Sequence, residues 1–247
     1  MALPLAGKHC VVVGATGVIG FSIAKAFSHQ GAVISLLGRS VLDARPRLEP
    51  QLRPYSLPGT DADTPSAHRF IRLDASNRDE IKAVFSSRGS YKSSVGPIDV
   101  LVNCAGISQT TLLKRTPDEE LSSIVDTNLL ATMLVCCIIN VSSLMATKGG
   151  LGATAYAASK AGVIGFTRAL CREMASRSIR VNALLPGWVN SSMWTDLKPE
   201  IQQAYLRDTP LNRVADPTEV ADAALFLASN GFANNCILNL DGGLSAA

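Results

Sequence analysis

A doubly wound parallel α/β sheet of about seven strands, flanked by helices, is the fold this sequence predicts. Three observations predict it. Short β-branched runs alternate with longer helix-patterned segments along the 247 residues. Within those runs apolar residues stand at consecutive rather than alternate positions, as in strands buried on both faces. Two of the intervening segments open with helix-start signals: Thr116-Pro117-Asp118-Glu119 and Asp216-Pro217-Thr218-Glu219 each offer an N-cap, a proline at N1 and an acid at N3. One catalytic domain over residues 1–247 is expected, since sheets of this size commonly form one unit.

In order along the chain, the predicted strands are Cys10–Val13, Val33–Leu37, Phe70–Leu73, Val100–Asn103, Ile138–Val141, Val181–Leu184 and Ile237–Leu240. A glycine-rich turn at residues 14–20 leads from the first strand into a helix ending near His29. Around residues 40–68 a crossover helix belongs, yet Pro46, Pro50, Pro54, Pro58 and Pro65 remove backbone donors. An irregular surface excursion is expected there. A helix beginning near Asp118 meets the fifth strand at Cys136-Cys137 and Ile138 with no turn signal between them, an abnormally tight junction. A long helix follows from Tyr156 to about Arg177. The segment around residues 188–213 carries Trp188, Met193, Trp194, Leu197 and Tyr205.

Composition narrows the function classes. With 47% apolar and 17% charged residues the chain is not disordered, and no apolar run approaches the roughly 20 residues of a membrane span. The amino terminus runs straight into a strand without a basic region and cleavage site, so secretion is not expected and an intracellular, soluble protein is. Six cysteines sit mostly in apolar runs without CxxC spacing, which favours reduced thiols. A net charge of +3 spread along the chain makes nucleic acid an unsuitable partner. The three histidines lack metal-ligand spacing, so no metal site is expected.

The turn Gly14-Ala15-Thr16-Gly17-Val18-Ile19-Gly20 reads as a phosphate cradle of a Rossmann-type fold. Glycines let the backbone approach a pyrophosphate, and the helix start offers free N–H groups. Gly14, Thr16, Gly17, Ile19 and Gly20 are the expected contacts; tight β-to-α packing is the plain alternative for the glycines. After the second strand stands Leu37-Gly38-Arg39-Ser40, with no acid to hold the 2′-hydroxyl of NAD and with a guanidinium suited to the 2′-phosphate of NADP. NADP(H) is the expected cofactor, the alternative for Arg39 being a solvated surface residue.

Tyr156 and Lys160 share one helix face. A cation beside a phenol favours the phenolate, which would draw the tyrosine towards neutral pH and fit it for general acid and base work. Alone such a pair is common. Here Ser142-Ser143, Asn103-Cys104-Ala105-Gly106 and Pro186-Gly187 end the fifth, fourth and sixth strands at the edge where open α/β sheets bind ligands.

In these motifs the chain resembles the short-chain dehydrogenase/reductase family over nearly its whole length: the glycine turn, Asp74, NCAG at 103–106, Asn128, Ser143, Tyr156 with Lys160, and PGWVNSSM at 186–193. The resemblance implies that Tyr156 protonates a carbonyl oxygen, Ser143 hydrogen-bonds it, Lys160 tunes Tyr156 and holds the nicotinamide ribose, and Asn128 anchors a water relay. It implies that Asp74 and Ala75 frame the adenine, that Asn103 and Ala105 line the dinucleotide path, and that the Val189 backbone meets the carboxamide. Gly106, Pro186, Gly187 and Ser191 join the cofactor set from the same motifs. The segments 112–116, 127–130 and 162–187 look most like 3-oxoacyl-[acyl-carrier-protein] reductases and related carbonyl reductases. By that likeness Arg172 and Arg177 would meet an acidic acyl carrier protein, the segment around 188–213 would cover substrate, and the protein would be a homo-oligomer, tetramer or dimer, in the cytoplasm or mitochondrial matrix. Arg172 and Arg177 read equally well as a solvated helix end.

Three departures stand out. Val18 follows Gly17 where close relatives carry a bulky or basic residue and then glycine, leaving Arg39 as the main NADP determinant. Asn234-Asn235-Cys236 replaces a threonine-glycine pair. Asn128 and Ser143 are only 15 positions apart, shorter than the family pattern by roughly three to four helical turns, in a helix that in the family serves assembly and carrier-protein docking. Three functions follow as expectations: an NADPH-dependent reductase of 3-oxoacyl thioesters in fatty acid biosynthesis, a ketoreductase for a polyketide, quinone or sterol-like carbonyl, and a dinucleotide-binding protein with impaired catalysis.

Overall fold

Seven parallel strands run in the order β3-β2-β1-β4-β5-β6-β7 in a computed structural model that describes residues 3–55, 64–86, 94–109, 111–134 and 139–246. The strands are β1 His9–Val13, β2 Val33–Gly38, β3 Arg69–Arg72, β4 Val100–Asn103, β5 Ile139–Val141, β6 Asn182–Pro186 and β7 Ile237–Leu240. The predicted fold class is the one observed, and strand limits differ by one or two residues. β6 extends to Pro186 because β7 pairs with it as far as Pro186 and Leu240. β1, β2, β4, β5 and β6 are buried throughout, whereas the outer strands β3 and β7 are not. That contrast explains the consecutive apolar runs: a central parallel strand has helices on both faces and no polar side to show.

Successive β1 residues feed opposite faces. Cys10 and Val12 join Ile34, Leu36, Val102 and Leu184 on one. There they meet Ile23 and Phe27 of helix α1 (Val18–His29) and Val220 and Leu227 of helix α10 (Pro217–Ser229). Val11 and Val13 join Leu37 and Leu101 on the other face, against Ile81 and Val84 of α3 (Arg78–Val84). Fully burying one side chain such as Phe27 contributes about 1.5–3 kcal/mol.

Helix α10 begins as its sequence predicts. Asp216 accepts from the Thr218 N–H at 2.8 Å, and the Glu219 carboxylate accepts from the Asp216 N–H at 2.8 Å, closing a capping box. The Arg213 guanidinium binds the Glu219 carboxylate through two 2.7 Å contacts and, with the Asp216 N–H, draws Glu219 down to about 2.

Two helix expectations need correction. A helix, α2 (Val41–Leu48), does form inside the proline-rich stretch and contains Pro46. The carbonyl that proline leaves without its helical donor belongs to Leu42, which is 51% exposed and open to water. Buried Val41 and Leu48 dock the helix on the core, and the Arg45 guanidinium holds the Glu49 carboxylate one turn on. Residues 56–63 of that stretch lie outside the described residues. Secondly, Thr116 does not cap the next helix, α4 (Asp118–Val125), whose N-cap is Pro117 with no side-chain bond. The Thr116 hydroxyl turns inward to Leu112, Thr111 and Gln109 instead.

The chain continues from α4 through a π-helical segment, Asp126–Leu130, into α5 (Ala131–Leu134). The tight junction at Cys136, Cys137 and Ile138 lies outside the described residues. On its far side β5 takes its place, with Val102 beside Ile139 and Asn103 beside Asn140. Among the described residues Cys10, Cys104, Cys171 and Cys236 are free thiols, and no helix is long and apolar enough to cross a membrane.

At the start of β1 a fully buried histidine sets a pH response. The His9 Nδ1–H donates to the Pro97 carbonyl, which makes Nε2 the acceptor for the Ser35 hydroxyl at 2.8 Å. Burial holds His9 below its ordinary value of 6.5. Below pH 6.5 the unfolded chain therefore takes up a proton that the folded chain refuses, and stability falls as pH drops. Urea midpoints should decline from pH 7.5 to pH 5.5, by less in His9→Gln; an equal slope in both proteins would remove His9 as the cause.

Candidate active site

The carboxyl ends of β1, β4, β5 and β6 open onto one edge, and the strand order reverses between β1 and β4, the place where such sheets take ligands. Two cavities lie along this edge and share Cys104 and Gly106 in their walls. One is lined by Gly14, Thr16, Gly17, Arg39, Asp74, Ala75 and Ala105. The other holds Ile19, Ser143, Tyr156 and Lys160 against Pro186, Gly187, Val189 and Ser191.

The glycine turn is shaped by close approach. Gly14 has φ +82°, and a Cβ there would stand 2.6 Å from the Ala105 nitrogen. At Gly20 a Cβ would stand 2.4 Å from the Gly14 oxygen, so Gly20 lets α1 pack on the turn and lines neither cavity. Gly17 is the N-cap of α1 and brings no side-chain acceptor. The first-turn N–H groups are thus left for an anion at the cavity edge. These features, with Arg39 and Thr16 beside them, fit a dinucleotide pyrophosphate and ribose. The Asp74 carboxyl accepts from the Ser76 hydroxyl and N–H, and those bonds, helped by the Arg39 and Arg72 charges, hold it below the usual carboxylate range.

At the other end, helix α7 (Thr154–Met174) carries Tyr156 and Lys160. It ends at Met174 and runs on as a 3₁₀ turn to Arg177. Ser143 stands just past β5, and its Oγ accepts from the Met145 N–H at 3.2 Å. The Tyr156 hydroxyl and Ser143 line the same cavity, and Ser143 stands close enough to draw that hydroxyl down. Lys160 is buried; its Nζ donates to the Val141 carbonyl at 2.9 Å and lies 5.9 Å from the centre of the Tyr156 ring.

The acid–base balance of this pair differs from the expectation of a lowered tyrosine. Burial pushes the Tyr156 hydroxyl up, outweighing the neighbouring Ser143 hydroxyl that pulls it down. Burial also draws Lys160 down, to about 8. The two groups sit in the same low-dielectric wall, and desolvation is the largest influence on each. At neutral pH Tyr156 holds its proton and most of Lys160 remains charged.

Asn128 is fully buried at the middle of the π-helical segment. Its Oδ1 accepts from the Ile107 N–H at 2.8 Å, and its Nδ2 donates to the Ile107 carbonyl at 2.9 Å and to the Ser159 hydroxyl at 3.2 Å. The π-helical segment brings Asn128 to within reach of the Lys160 side chain across Gly106. A Cβ on Gly106 would stand 3.2 Å from the Asn128 Oδ1 and 3.3 Å from the Lys160 Nζ. Asn103 goes elsewhere: its amide faces the Asn140 side chain at 3.4 Å under the sheet edge, and it lines neither cavity.

The aromatic residues singled out in the 188–213 segment come together: Trp188 stacks with Tyr205 at 4.4 Å and with Trp194 at 5.5 Å between ring centres, and its indole N–H is buried without a partner among the described residues. Sequence reasoning missed one feature. Gln109, buried behind the catalytic helix, bonds to the Ala155 N–H; a loop glutamine gives no sequence signal.

A crevice with a glycine turn at one end and a buried tyrosine–lysine pair at the other has the build of a nicotinamide-dinucleotide oxidoreductase. Residues 14–245 match the family model described as Enoyl-(Acyl carrier protein) reductase. The chain is 36% identical over 256 residues to 3-oxoacyl-[acyl-carrier-protein] reductase FabG of Chlamydia muridarum, covering 98% of each chain. It is 36% identical over 249 residues to carbonyl reductase family member 4 of Danio rerio, covering 96% of this chain and 98% of that one. A solved structure titled short chain dehydrogenase/reductase family protein superposes with a TM-score of 0.80 at 26% identity, covering 99% and 100% of the two chains. The chain belongs to the short-chain dehydrogenase/reductase family, and it is an oxidoreductase.

Proposed function

We propose that this protein is an NADPH-dependent ketoreductase that turns 3-oxoacyl thioesters, carried on acyl carrier protein, into 3-hydroxyacyl thioesters in fatty acid biosynthesis. The observation that carries the reading is the Tyr156 hydroxyl, loaded with its proton in one cavity wall with Ser143 and the buried Lys160 ammonium. That relatives 36% identical to this chain are 3-oxoacyl-[acyl-carrier-protein] reductases supports the substrate class. Arg39 at the mouth of the phosphate-side cavity, with no acid beside it at the end of β2, supports NADPH.

When bound, a reduced nicotinamide dinucleotide would supply the hydride, with the glycine turn and Val189 among the residues that would hold it. Ser143 and Tyr156 donate hydrogen bonds to the ketone oxygen and polarise it. The Tyr156 proton passes to that oxygen as negative charge builds there, completing the alcohol and leaving a phenolate. Lys160 steadies the phenolate and holds the ribose hydroxyls. Asn128, with Lys160 across Gly106, anchors the water that returns a proton. Asp74 and Ala75 would border the adenine, and Pro186, Gly187 and Ser191 would shape the nicotinamide wall.

The tilted stack of Trp188, Trp194 and Tyr205 beside this wall favours a second reading, a flat cyclic ketone or quinone as substrate. Purified protein given NADPH with acetoacetyl thioesters, on acyl carrier protein and on coenzyme A, and with a quinone and a cyclic ketone separates the two. Faster turnover of the thioesters is expected. NADPH raising the melting temperature with no turnover of any substrate would leave a dinucleotide-binding protein with impaired catalysis.

A further inference from the structure

We infer that Gln109 is a positioning residue for Tyr156, acting as the N-cap that helix α7 lacks in its own sequence; this deepens the ketoreductase reading and rests on it for its kinetic arm. The N-cap position of α7 is Ala153, which makes no side-chain bond to the helix. Its methyl group has nothing to offer the first-turn N–H groups, which have no partner within the helix.

Gln109 supplies the missing acceptor from the loop after β4, 46 positions away in the chain. Its Oε1 accepts from the Ala155 N–H at 2.8 Å and from the Tyr156 N–H at 3.4 Å. The other half of the same amide is anchored: Nε2 donates to the Thr111 carbonyl at 2.9 Å and to the Thr116 hydroxyl at 3.1 Å. Thr116 in turn reaches the Thr111 hydroxyl at 2.8 Å and the Leu112 carbonyl at 3.1 Å. The amide orientation is thereby set, since the flipped form would put an NH₂ against two N–H donors. The threonine diverted from capping α4 is the one that holds this amide.

The geometry picks out Tyr156. Its own N–H is one of the two capped groups, so the cap fixes the backbone from which the hydroxyl must reach Ser143 on a different element. Lys160 lies one turn further on, where helical bonds and the Ser142 hydroxyl, donating to its carbonyl at 2.8 Å, hold it independently. Two residues before Gln109, Ile107 is clamped through both backbone groups by Asn128. The loop is a strut between the α4–α5 side of the site and the first turn of α7.

The test replaces Gln109 with leucine, which keeps the shape and loses both halves of the amide, and with glutamate, which keeps the acceptor and gives up the donor to Thr111. Gln109→Leu should lower kcat for the ketone about tenfold, the scale on which sub-ångström misplacement acts, with the KM for NADPH nearly unchanged. Amide hydrogen exchange should show lost protection at Ala155 and Tyr156 and not at Lys160. Gln109→Glu should restore most of both. Should Gln109→Leu prove unfoldable, Thr116→Val removes only the anchor and should shift kcat and exchange the same way by less. Wild-type kcat in Gln109→Leu, unchanged protection, or a loss that Gln109→Glu does not relieve overturns the proposal. If the wild-type protein reduces none of the ketones, the ketoreductase reading fails, and the exchange pattern and its rescue still decide whether Gln109 holds Tyr156.

Discussion

Replacing Tyr156 with phenylalanine is expected to lower kcat by about 10²–10⁴, the contribution of a positioned general acid, which is about 3–5 kcal/mol of transition-state stabilisation. The substitution removes one oxygen and keeps the ring that packs beside Lys160, so NADPH should still raise the melting temperature by a wild-type amount. Kinetics with a 3-oxoacyl thioester, together with that melting shift, check both halves. A variant retaining more than a tenth of the wild-type rate would remove Tyr156 from the chemistry. The same assignment sets the sign of the pH response. Tyr156 stays protonated well past neutrality, while Lys160 gives up its proton near pH 8. Reduction should therefore slow as pH climbs through about 8, as the cation that steadies the phenolate is lost.

Replacing Arg39 with alanine should weaken NADPH by about 10–100-fold, the worth of hydrogen bonds between a guanidinium and a phosphate at about 1.5–3 kcal/mol. NADH, which has no 2′-phosphate, should be affected little. The expectation rests on the position of Arg39 in the wall of the phosphate-side cavity with Thr16 and Ser40. Steady-state KM values for the two cofactors measure it. An unchanged ratio between them would show that the guanidinium does not read the 2′ position. Raising the salt concentration should narrow the wild-type preference, because the contact is between charges near the surface.

Much of this fold is legible along the chain because its causes are local. A central parallel strand must be apolar at every position, and a helix start must satisfy its own N–H groups, as Asp216 and Glu219 do within four residues. The glycine turn is legible for the same reason, since Gly14 takes a backbone conformation that other residues reach only under strain. The errors also share a cause. Pro46 was expected to break a helix that the burial of Val41 and Leu48 holds together. Thr116 has the spacing of an N-cap, but a glutamine seven positions away claims its hydroxyl. Asn103 sits in the right motif with its side chain under the sheet, bonded to a neighbouring strand.

Order along the chain was therefore enough to specify the sheet, the edge where ligands bind and the residue types gathered there, because hydrophobic period, glycine geometry and capping act over a few residues. The protonation balance of Tyr156 and Lys160 and the seating of their helix arise otherwise. The first depends on how thoroughly both groups are withdrawn from water, the second on an amide brought from 46 positions away. Desolvation and long-range hydrogen bonds are properties of the packed chain, and no local pattern encodes them.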